Sequence, residues 1–358
     1  MRLPEAVDDA VLDDLRSRLR ATRRVALTRG TGWDRGTDPD YLSGLLTYWA
    51  EDYDWRPHEQ RILSLPWVPF DDGFAIHQRA EHAGAPTVVL LHGWPDSFLR
   101  FERVLPLLPD VNVVVPALPG YPFGPATTEP GSGARPAMGT RVLALLAELG
   151  HERCVVAGGD IGTGVAEAMA REAPTTVAAL HLTDIPLNRL ASVPPAELTE
   201  AERRYVAGAQ EWSRTEGAYL QQQATKPHTL AVGLGDSPAG LAAWILEKLR
   251  SWSDCGGDVE TAFGREDLLT WLTLYWVTGT IGSSFAAYVE RPPAVLERLA
   301  TPLAVTQFEH DLVKAPREFA ERWYAVRSWE IEASGGHFAA WERPEAFVAG
   351  VRRALALS

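Results

Sequence analysis

Residues 153–164 read Arg-Cys-Val-Val-Ala-Gly-Gly-Asp-Ile-Gly-Thr-Gly. The short apolar run Cys154–Ala157 leads into small residues, and Val165–Arg171 continues with apolar positions at helical spacing. A single acidic residue, Asp160, lies between the two segments. The pattern predicts a buried strand, a sharp turn with Asp160 at its apex, and a helix.

Small residues on both sides of Asp160 are typical of a nucleophile elbow, G-x-Nu-x-G. In such an elbow the strand and helix backbones nearly touch, which explains Gly158 and Gly162. A carboxylate is ionised near pH 7 without help. Its attack on an electrophilic sp³ carbon gives an alkyl ester that water can hydrolyse, whereas attack on an amide or ester would give a reactive anhydride. The pattern therefore indicates an epoxide or a haloalkane as the substrate.

The composition is that of a soluble globular protein. The chain has 358 residues, of which 46% are apolar and 23% are charged, so one large domain or two can bury a substantial core. The formal net charge of -13 disfavours nucleic acid and anionic membranes as partners. The acidic residues form no long run, which is typical of a well-solvated surface.

Two cysteines, Cys154 and Cys255, indicate no disulfide framework and fit a reducing cytoplasm. The segment Met1–Asp9 lacks a basic and then apolar signal pattern, and no apolar run approaches the ~18 to 20 residues that a membrane span needs. We therefore expect a cytoplasmic protein without a membrane segment.

Helices and strands alternate through the first half of the chain. Amphipathic spacing predicts helices over Val11–Leu19 and Tyr41–Tyr53, and Asp38 and Pro39 open the second one. Strands are then predicted over 67–70, 74–77, 87–91, 111–117 and 178–182, with a helix over 140–149 before the elbow. The continuous apolar strands indicate a mostly parallel sheet of the α/β class, covered by helices on both faces.

The region 188–290 reads as a helical insertion that caps the site, because it interrupts the strand pattern. Strands over 303–308 and 328–332 and a helix over 344–357 follow it. The predicted organisation is an N-terminal extension over 1–70, a core over 71–187 and 291–358, and a lid over 188–290.

Several motifs occur together along nearly the whole chain. They are Asp54-Trp55-Arg56, His92-Gly93-Trp94-Pro95, Gly158-Gly159-Asp160, Thr225-Lys226-Pro227, Asp236-Ser237-Pro238 and Gly335-Gly336-His337-Phe338. In this order they resemble epoxide hydrolases of the α/β-hydrolase fold, specifically the microsomal-type group with an N-terminal extension. The resemblance implies that fold, hydrolysis of an epoxide to a vicinal diol, and Asp160 as the nucleophile.

His337 is the predicted general base, because it follows the last strand in a Gly-Gly-His turn and imidazole titrates near neutrality. The family pattern around Phe308-Glu309-His310-Asp311 implies Asp311 as the orienting carboxylate, with Glu309 as the alternative. The order nucleophile, acid, histidine is that of α/β-hydrolases.

Two tyrosines are implied as the acids that donate to the epoxide oxygen, since a phenol is neutral at pH 7 and can donate. The family pattern places them at Tyr219 and Tyr288. Tyr205 and Tyr275 are neighbouring tyrosines for which no such role is expected.

The backbone N–H groups of Trp94 and Ile161 are the predicted oxyanion donors. The resemblance implies a cis Trp94-Pro95 peptide and a substrate pocket that includes His92, Trp94, Pro95 and Ile161. One position departs from the family, which usually has Trp where this chain has Ile161. The smaller side chain is expected to open space beside Asp160, which suggests a substrate of unusual shape.

The sequence thus predicts an epoxide hydrolase that needs no metal and no organic cofactor, takes a small-molecule epoxide, and serves in detoxification or in natural-product tailoring. A homodimer is compatible with the sequence. Two other functions stay open at this stage. A haloalkane dehalogenase would share the Asp nucleophile but would need halide-binding donors, and a binding protein could retain the fold without catalysis.

Overall fold

The computed structural model describes residues 3–28, 30–290 and 297–358. Within them, eight strands form one sheet in the order β1-β2-β4-β3-β5-β6-β7-β8. The strands are β1 Trp67–Phe70, β2 Gly73–Gln78, β3 Thr87–Leu91, β4 Asn112–Pro116, β5 Cys154–Gly158, β6 Val177–Leu182, β7 Leu299–Phe308 and β8 Tyr324–Glu332. The pairs β1–β2 and β2–β4 are antiparallel and the others are parallel, which confirms the predicted mostly parallel sheet.

Before the sheet, residues 3–28 and 30–66 form three helices, α1 Asp9–Arg20, α2 Pro39–Glu51 and α3 Trp55–Leu63. The first two confirm the predicted N-terminal helices. Helix α2 begins at Pro39 after the Asp38 cap, as predicted, because the Asp38 carboxylate accepts the free N–H groups of Asp40 and Tyr41. Helix α3 was not predicted, although Asp54 caps it in the same way through the N–H of Arg56.

Helices α4 Arg135–Glu148 and α5 Ile161–Glu172 pack together beside the parallel strands. Helix α4 starts at Arg135 rather than 140, because Pro136 occupies the first turn, where a missing N–H costs nothing. Strands β3 and β5 are buried along their whole length, as their continuous apolar sequences predict. Cys154 in β5 and Cys255 are both buried and free.

Between β6 and β7 the described residues contain six α-helices, all within the range predicted for the insertion. They are α6 Glu200–Thr215, α7 Ala218–Thr225, α8 Pro227–Asp236, α9 Pro238–Trp252, α10 Arg265–Thr278 and α11 Ala286–Val289. The chain ends with α12 Arg317–Trp323, α13 Ala339–Glu342 and α14 Pro344–Leu355. The boundaries of the extension, core and lid stay predictions.

The N-terminal helices pack on the insertion. Trp49 Nε1 donates to Thr273 Oγ1 of α10 at 2.9 Å, and the Tyr53 hydroxyl lies 3.1 Å from that of Thr270. No single helix in the described part of the chain is long and apolar enough to cross a membrane. Helices α8 and α9 together have the length and composition, but they meet at 116°.

Candidate active site

Asp160 lies at the turn between β5 and α5 with a φ of 56°, a conformation that few non-glycine residues adopt and that costs roughly 1–3 kcal/mol. The strand and the helix approach closely here, as predicted. A Cβ on Gly162 would lie 2.3 Å from the carbonyl oxygen of Leu91, and one on Gly158 would lie 2.8 Å from the backbone of Gly162. The flanking glycines therefore permit the turn that presents the carboxylate.

His337 and Asp311 meet beside Asp160. His337 Nδ1 lies 2.9 Å from Asp311 Oδ1, and His337 Nε2 faces Asp160 Oδ2 at 3.8 Å. Burial alone would lower the pKa of His337, but the charge of Asp311 and the hydrogen bond to it outweigh burial and raise that pKa above its usual 6.5. The pKa of Asp311 is lowered, because attraction to His337 outweighs the effect of burial. With Nδ1–H donating to Asp311, Nε2 can accept a proton.

The turn from His92 to Pro95 faces the nucleophile from the end of β3. The Trp94-Pro95 peptide is cis, as the resemblance implied. Trp94 N–H donates to Asp160 Oδ1 at 2.8 Å, so one predicted oxyanion donor already contacts the carboxylate. In the described residues, no hydrogen bond joins Ile161 N–H to that carboxylate, and the oxyanion role of Ile161 stays a prediction.

Helices α7 and α11 bring Tyr219 and Tyr288 over Asp160. The two rings meet edge to face with centroids 6.0 Å apart, and the Tyr219 ring stacks on the Trp94 indole at 5.2 Å. Both side chains are buried. Burial raises the pKa of Tyr288 well above that of an ordinary tyrosine, so its hydroxyl stays protonated and able to donate.

The alternative candidates for the orienting carboxylate and for the acid tyrosines contact other parts of the protein. Glu309 is exposed and pairs with Lys314 at 2.6 Å, which favours Asp311 as the partner of His337. Tyr205 approaches the backbone carbonyl of Ile185 at 3.4 Å, and Tyr275 donates to that of Asp96 at 2.8 Å.

A cavity of about 1050 Å³ opens beside these side chains, and its lining includes Asp160, Ile161, Tyr219, Tyr288, Asp311 and His337. Ile161 lies in the pocket as predicted, but His92, Trp94 and Pro95 are not among the lining residues. His92 is fully buried behind the turn, where Nε2 accepts the N–H of Leu118 at 3.0 Å and burial lowers its pKa to about 3. This corrects the sequence prediction: His92 fixes the turn from behind. Trp94 lies behind two lining residues, because its ring stacks on Tyr219 and its N–H donates to Asp160.

Comparisons with known proteins agree with this geometry. Residues 3–101 match the family model of the epoxide hydrolase N terminus, and residues 86–229 match that of the α/β hydrolase fold. A protein of Stigmatella aurantiaca is 36% identical over 97% of this chain and 82% of that protein. Juvenile hormone epoxide hydrolase 2 of Ctenocephalides felis is 30% identical over 95% of this chain and 82% of that protein. The chain belongs to the microsomal-type epoxide hydrolases.

Solved structures extend the likeness to the fold. Juvenile hormone epoxide hydrolase from Bombyx mori superposes with a TM-score of 0.88 at 27% identity, covering 99% of this chain and 93% of that one. The Aspergillus niger epoxide hydrolase gives a TM-score of 0.85 at 27% identity, covering 98% and 96%. The α/β-hydrolase fold and the epoxide hydrolase assignment are thereby confirmed, and the dehalogenase and non-catalytic alternatives are disfavoured.

Asp184 is a carboxylate of this epoxide hydrolase that the sequence analysis missed. It follows β6, and its Oδ1 accepts the N–H of Asp160 at 2.9 Å and the hydroxyl of Thr163 at 2.6 Å. Burial, followed by the charge of Asp311, raises the pKa of Asp184 to about 7. The only signal in the sequence is an acidic residue two positions after a buried strand.

Asp96 and Arg100 form a second contact network that sequence reasoning missed. The Asp96 carboxylate accepts the N–H of Gly93 at 2.9 Å and lies 2.7 Å from Arg100 Nε. Arg100 Nη2 donates to the backbone carbonyl of His337 at 2.5 Å. The pair therefore ties the turn that carries Trp94 to the loop that carries the base. The sequence signal for this ion pair is the spacing of four residues between Asp96 and Arg100.

Across 3–28, 30–290 and 297–358, no three His, Cys, Asp or Glu side chains are grouped so as to hold a metal ion.

Proposed function

We propose that this epoxide hydrolase works through an alkyl-ester intermediate on Asp160. The supporting observation is the arrangement of Asp160 between a base on one side and two phenols on the other. His337 Nε2 lies 3.8 Å from Asp160 Oδ2, while Tyr219 and Tyr288 line the same cavity. A nucleophile, an acid pair and a base are the groups that the two-step reaction requires.

In the first step, Asp160 Oδ2 attacks one epoxide carbon and forms an ester C–O bond. The bond from that carbon to the ring oxygen breaks, and the electron pair stays on the oxygen. Tyr219 and Tyr288 donate hydrogen bonds to this oxygen, and one of them supplies the proton that converts the alkoxide to a hydroxyl. Asp160 Oδ1 remains the ester carbonyl oxygen and keeps its contact with Trp94 N–H.

In the second step, water attacks the ester carbonyl carbon while His337 takes its proton at Nε2. Asp311 stabilises the imidazolium that forms. The negative charge that develops on Oδ1 is stabilised by Trp94 N–H, a contribution of roughly 3 kcal/mol for a well-placed donor. Collapse of the intermediate breaks the bond between the Asp160 carboxyl carbon and the diol oxygen, and that oxygen takes the remaining proton of the attacking water. This releases the vicinal diol and regenerates the Asp160 carboxylate, and the proton held by His337 returns to the tyrosinate that the first step left.

The test is intact-protein mass spectrometry of His337→Gln exposed to a panel of epoxides and haloalkanes, with Asp160→Asn as the control. Ring opening is expected to proceed in His337→Gln while hydrolysis stalls, so the protein gains the mass of the whole epoxide and Asp160→Asn gains nothing. An adduct that lacks halide would instead support a dehalogenase. Wild-type turnover without any adduct in His337→Gln would contradict the ester intermediate.

We propose further that the enzyme serves one dedicated epoxide, as in natural-product tailoring, rather than general detoxification. The support is Ile161, which enlarges the space beside Asp160 where the resembled family usually carries Trp. Steep selectivity across the same panel is expected. Equal turnover of many simple epoxides would argue for detoxification.

A further inference from the structure

The lining of the cavity beside Asp160 combines apolar and charged residues. The apolar ones come from the 3₁₀ helix Leu187–Ser192, from α6 and from the loop after β7, namely Leu187, Leu190, Val206, Ala209, Leu312 and Val313. The first turn of α4 and the start of α5 contribute Arg135, Pro136 and Gly164. A substrate in this cavity therefore meets both apolar surface and the cation of Arg135.

The position of Arg135 beside the cavity depends on Gly164 of α5, because a residue with a side chain there would collide with the arginine. A Cβ on Gly164 would lie 2.2 Å from Arg135 Cδ, so the aliphatic part of the arginine lies directly on the Gly164 backbone. Arg135 is partly buried, and its charge acts on Tyr288, whose pKa it lowers against the larger effect of burial. The guanidinium is thus close to the Tyr288 phenol, which donates to the epoxide oxygen in the proposed reaction.

Arg135 differs from the other charged residues around it in having no partner among the residues that the structure describes. Three of them use their charge or hydrogen-bonding groups within the protein: Arg189 with Glu167 at 2.8 Å, Arg171 with the carbonyl of Glu297 at 2.6 Å, and Glu172 with the Thr140 hydroxyl at 2.7 Å. By contrast, the Arg135 guanidinium makes no hydrogen bond or ion pair with any residue that the structure describes. A partly buried cation that faces a substrate cavity without a protein partner is available to a ligand.

We propose that Arg135 binds a carboxylate of the substrate, so that the preferred epoxide is an amphipathic acid with an apolar body. A guanidinium matches a carboxylate in planar, bidentate geometry, and charge-assisted bonds of this kind are roughly twice as strong as neutral ones. The Asp160 carboxylate would repel an anion in the same cavity, and Arg135 offsets that repulsion. The inference rests on the proposed function for the reaction and adds the substrate class.

The direct test measures binding separately from chemistry. In Asp160→Asn, ring opening is blocked, and calorimetry compares terminal epoxy alkanoates of increasing chain length with their methyl esters. The acid is expected to bind more tightly than its ester. Adding Arg135→Gln is expected to weaken binding of the acid by about ten- to a hundredfold and to leave the ester nearly unchanged. Arg135→Lys, which keeps the charge, retains part of the preference.

Arg141→Gln is the matched control, because Arg141 lies on the same helix, pairs with Asp71 at 3.3 Å and is not part of the cavity lining. It should leave the preference for the acid intact. Equal weakening of acid and ester by Arg135→Gln would overturn the inference, because an arginine that only packs on Gly164 or acts on Tyr288 affects both ligands alike. Equal binding of acid and ester before the Arg135 substitution would overturn it as well.

Failure of the reaction mechanism gives a different result. In one case, Asp160→Asn binds the acid more tightly than the ester, but His337→Gln forms no adduct with the acid although the wild type turns it over. This result would support the anion site and contradict the ester intermediate. If His337→Gln forms adducts with acid and ester at equal rates and equal affinity, the intermediate stands and the role of Arg135 fails.

Discussion

Asp160, His337 and Asp311 lie next to one another, and the charge of each carboxylate affects the pKa of His337. Asp311 stays ionised beside His337, and His337 is more basic than an ordinary histidine because of Asp311 and, to a smaller extent, Asp160. Esterification removes the charge of Asp160, so the pKa of His337 is lower in the intermediate than in the free enzyme. The base is therefore more readily neutral in the step that needs it to accept a proton.

Removing the charge of Asp311 tests this arrangement through pH dependence. The rate of ester hydrolysis falls as the pH drops through the pKa of His337, because the protonated ring cannot act as a base. In Asp311→Asn, burial dominates and the pKa of His337 decreases, so the acidic limb should move to lower pH while the maximal rate falls roughly ten- to a thousandfold. Single-turnover hydrolysis measured across pH gives both quantities. An acidic limb that does not move would contradict this account.

Ile161 is the residue at which selectivity is expected to change. It is 1% exposed and lines the cavity next to the nucleophile. Ile161→Trp should fill this space and lower kcat/KM for bulky epoxides by tenfold or more, while small epoxides are affected far less. Ile161→Leu, of equal volume, is the control, and thermal melting of both variants checks folding. A uniform loss for all substrate sizes would show that Ile161 does not limit the pocket.

The strand-turn-helix elements around the site depend on Asp184 as well as on the glycines. Asp184 links the end of β6 to the start of α5 through the N–H of Asp160 and the hydroxyl of Thr163. An asparagine in its place can accept both bonds through its amide oxygen, whereas an alanine leaves a buried N–H without a partner. The cost of such a buried, unsatisfied donor is about 1–3 kcal/mol.

We therefore expect Asp184→Asn to keep activity within a few-fold of wild type near neutral pH, and Asp184→Ala to lose roughly ten- to a hundredfold in kcat/KM. The rate of adduct formation in the His337→Gln background locates the loss in the attack by Asp160. Equal activity of the two variants would indicate that the hydrogen bonds of Asp184 do not position the nucleophile.

Local sequence patterns predicted the elements that carry the chemistry. Apolar spacing on both sides of Asp160 was sufficient to predict β5 and α5. The Gly-Gly-His sequence was sufficient to predict the loop that carries His337. The start of α4 was missed, because nothing apolar marks Arg135 and Pro136 as helical. Strands β7 and β8 begin four residues before the predicted 303 and 328. Polar residues such as Thr301 and Arg327 interrupt the apolar pattern in the first residues of these strands, so the pattern does not mark their starts. The contacts of Asp184 and Arg135 depend on the three-dimensional approach of distant elements and have no local signal.

Across the whole molecule, helix α10 connects the N-terminal helices to the active-site turn. On one side it accepts the Trp49 indole N–H through Thr273, and on the other Tyr275 donates to the carbonyl of Asp96. Trp49 and Thr273 are 224 residues apart in sequence. The sequence predicted both helical regions, but it could not predict their contact, because each amphipathic pattern shows only that a partner exists.

Trp49→Phe tests this connection. The variant keeps most of the buried ring but loses the indole bond to Thr273, so the free energy of unfolding should fall by about 1–3 kcal/mol. Trp33→Phe is the matched control, because Trp33 is partly exposed and its ring contacts Tyr41 and Arg250, with no indole hydrogen bond to any residue that the structure describes. Chemical denaturation gives both values. An equal effect of the two substitutions would contradict a stabilising role for the Trp49 contact.

The central claim is that the oxygen added to the epoxide comes from Asp160 and not directly from water. The measurement is a single turnover with excess enzyme in ¹⁸O-labelled water, followed by mass spectrometry of the diol and of the peptide that contains Asp160. The ester mechanism predicts an unlabelled diol and one labelled oxygen in the Asp160 carboxylate. A labelled diol with an unlabelled Asp160 would show direct attack by water and would contradict the nucleophilic role of this residue.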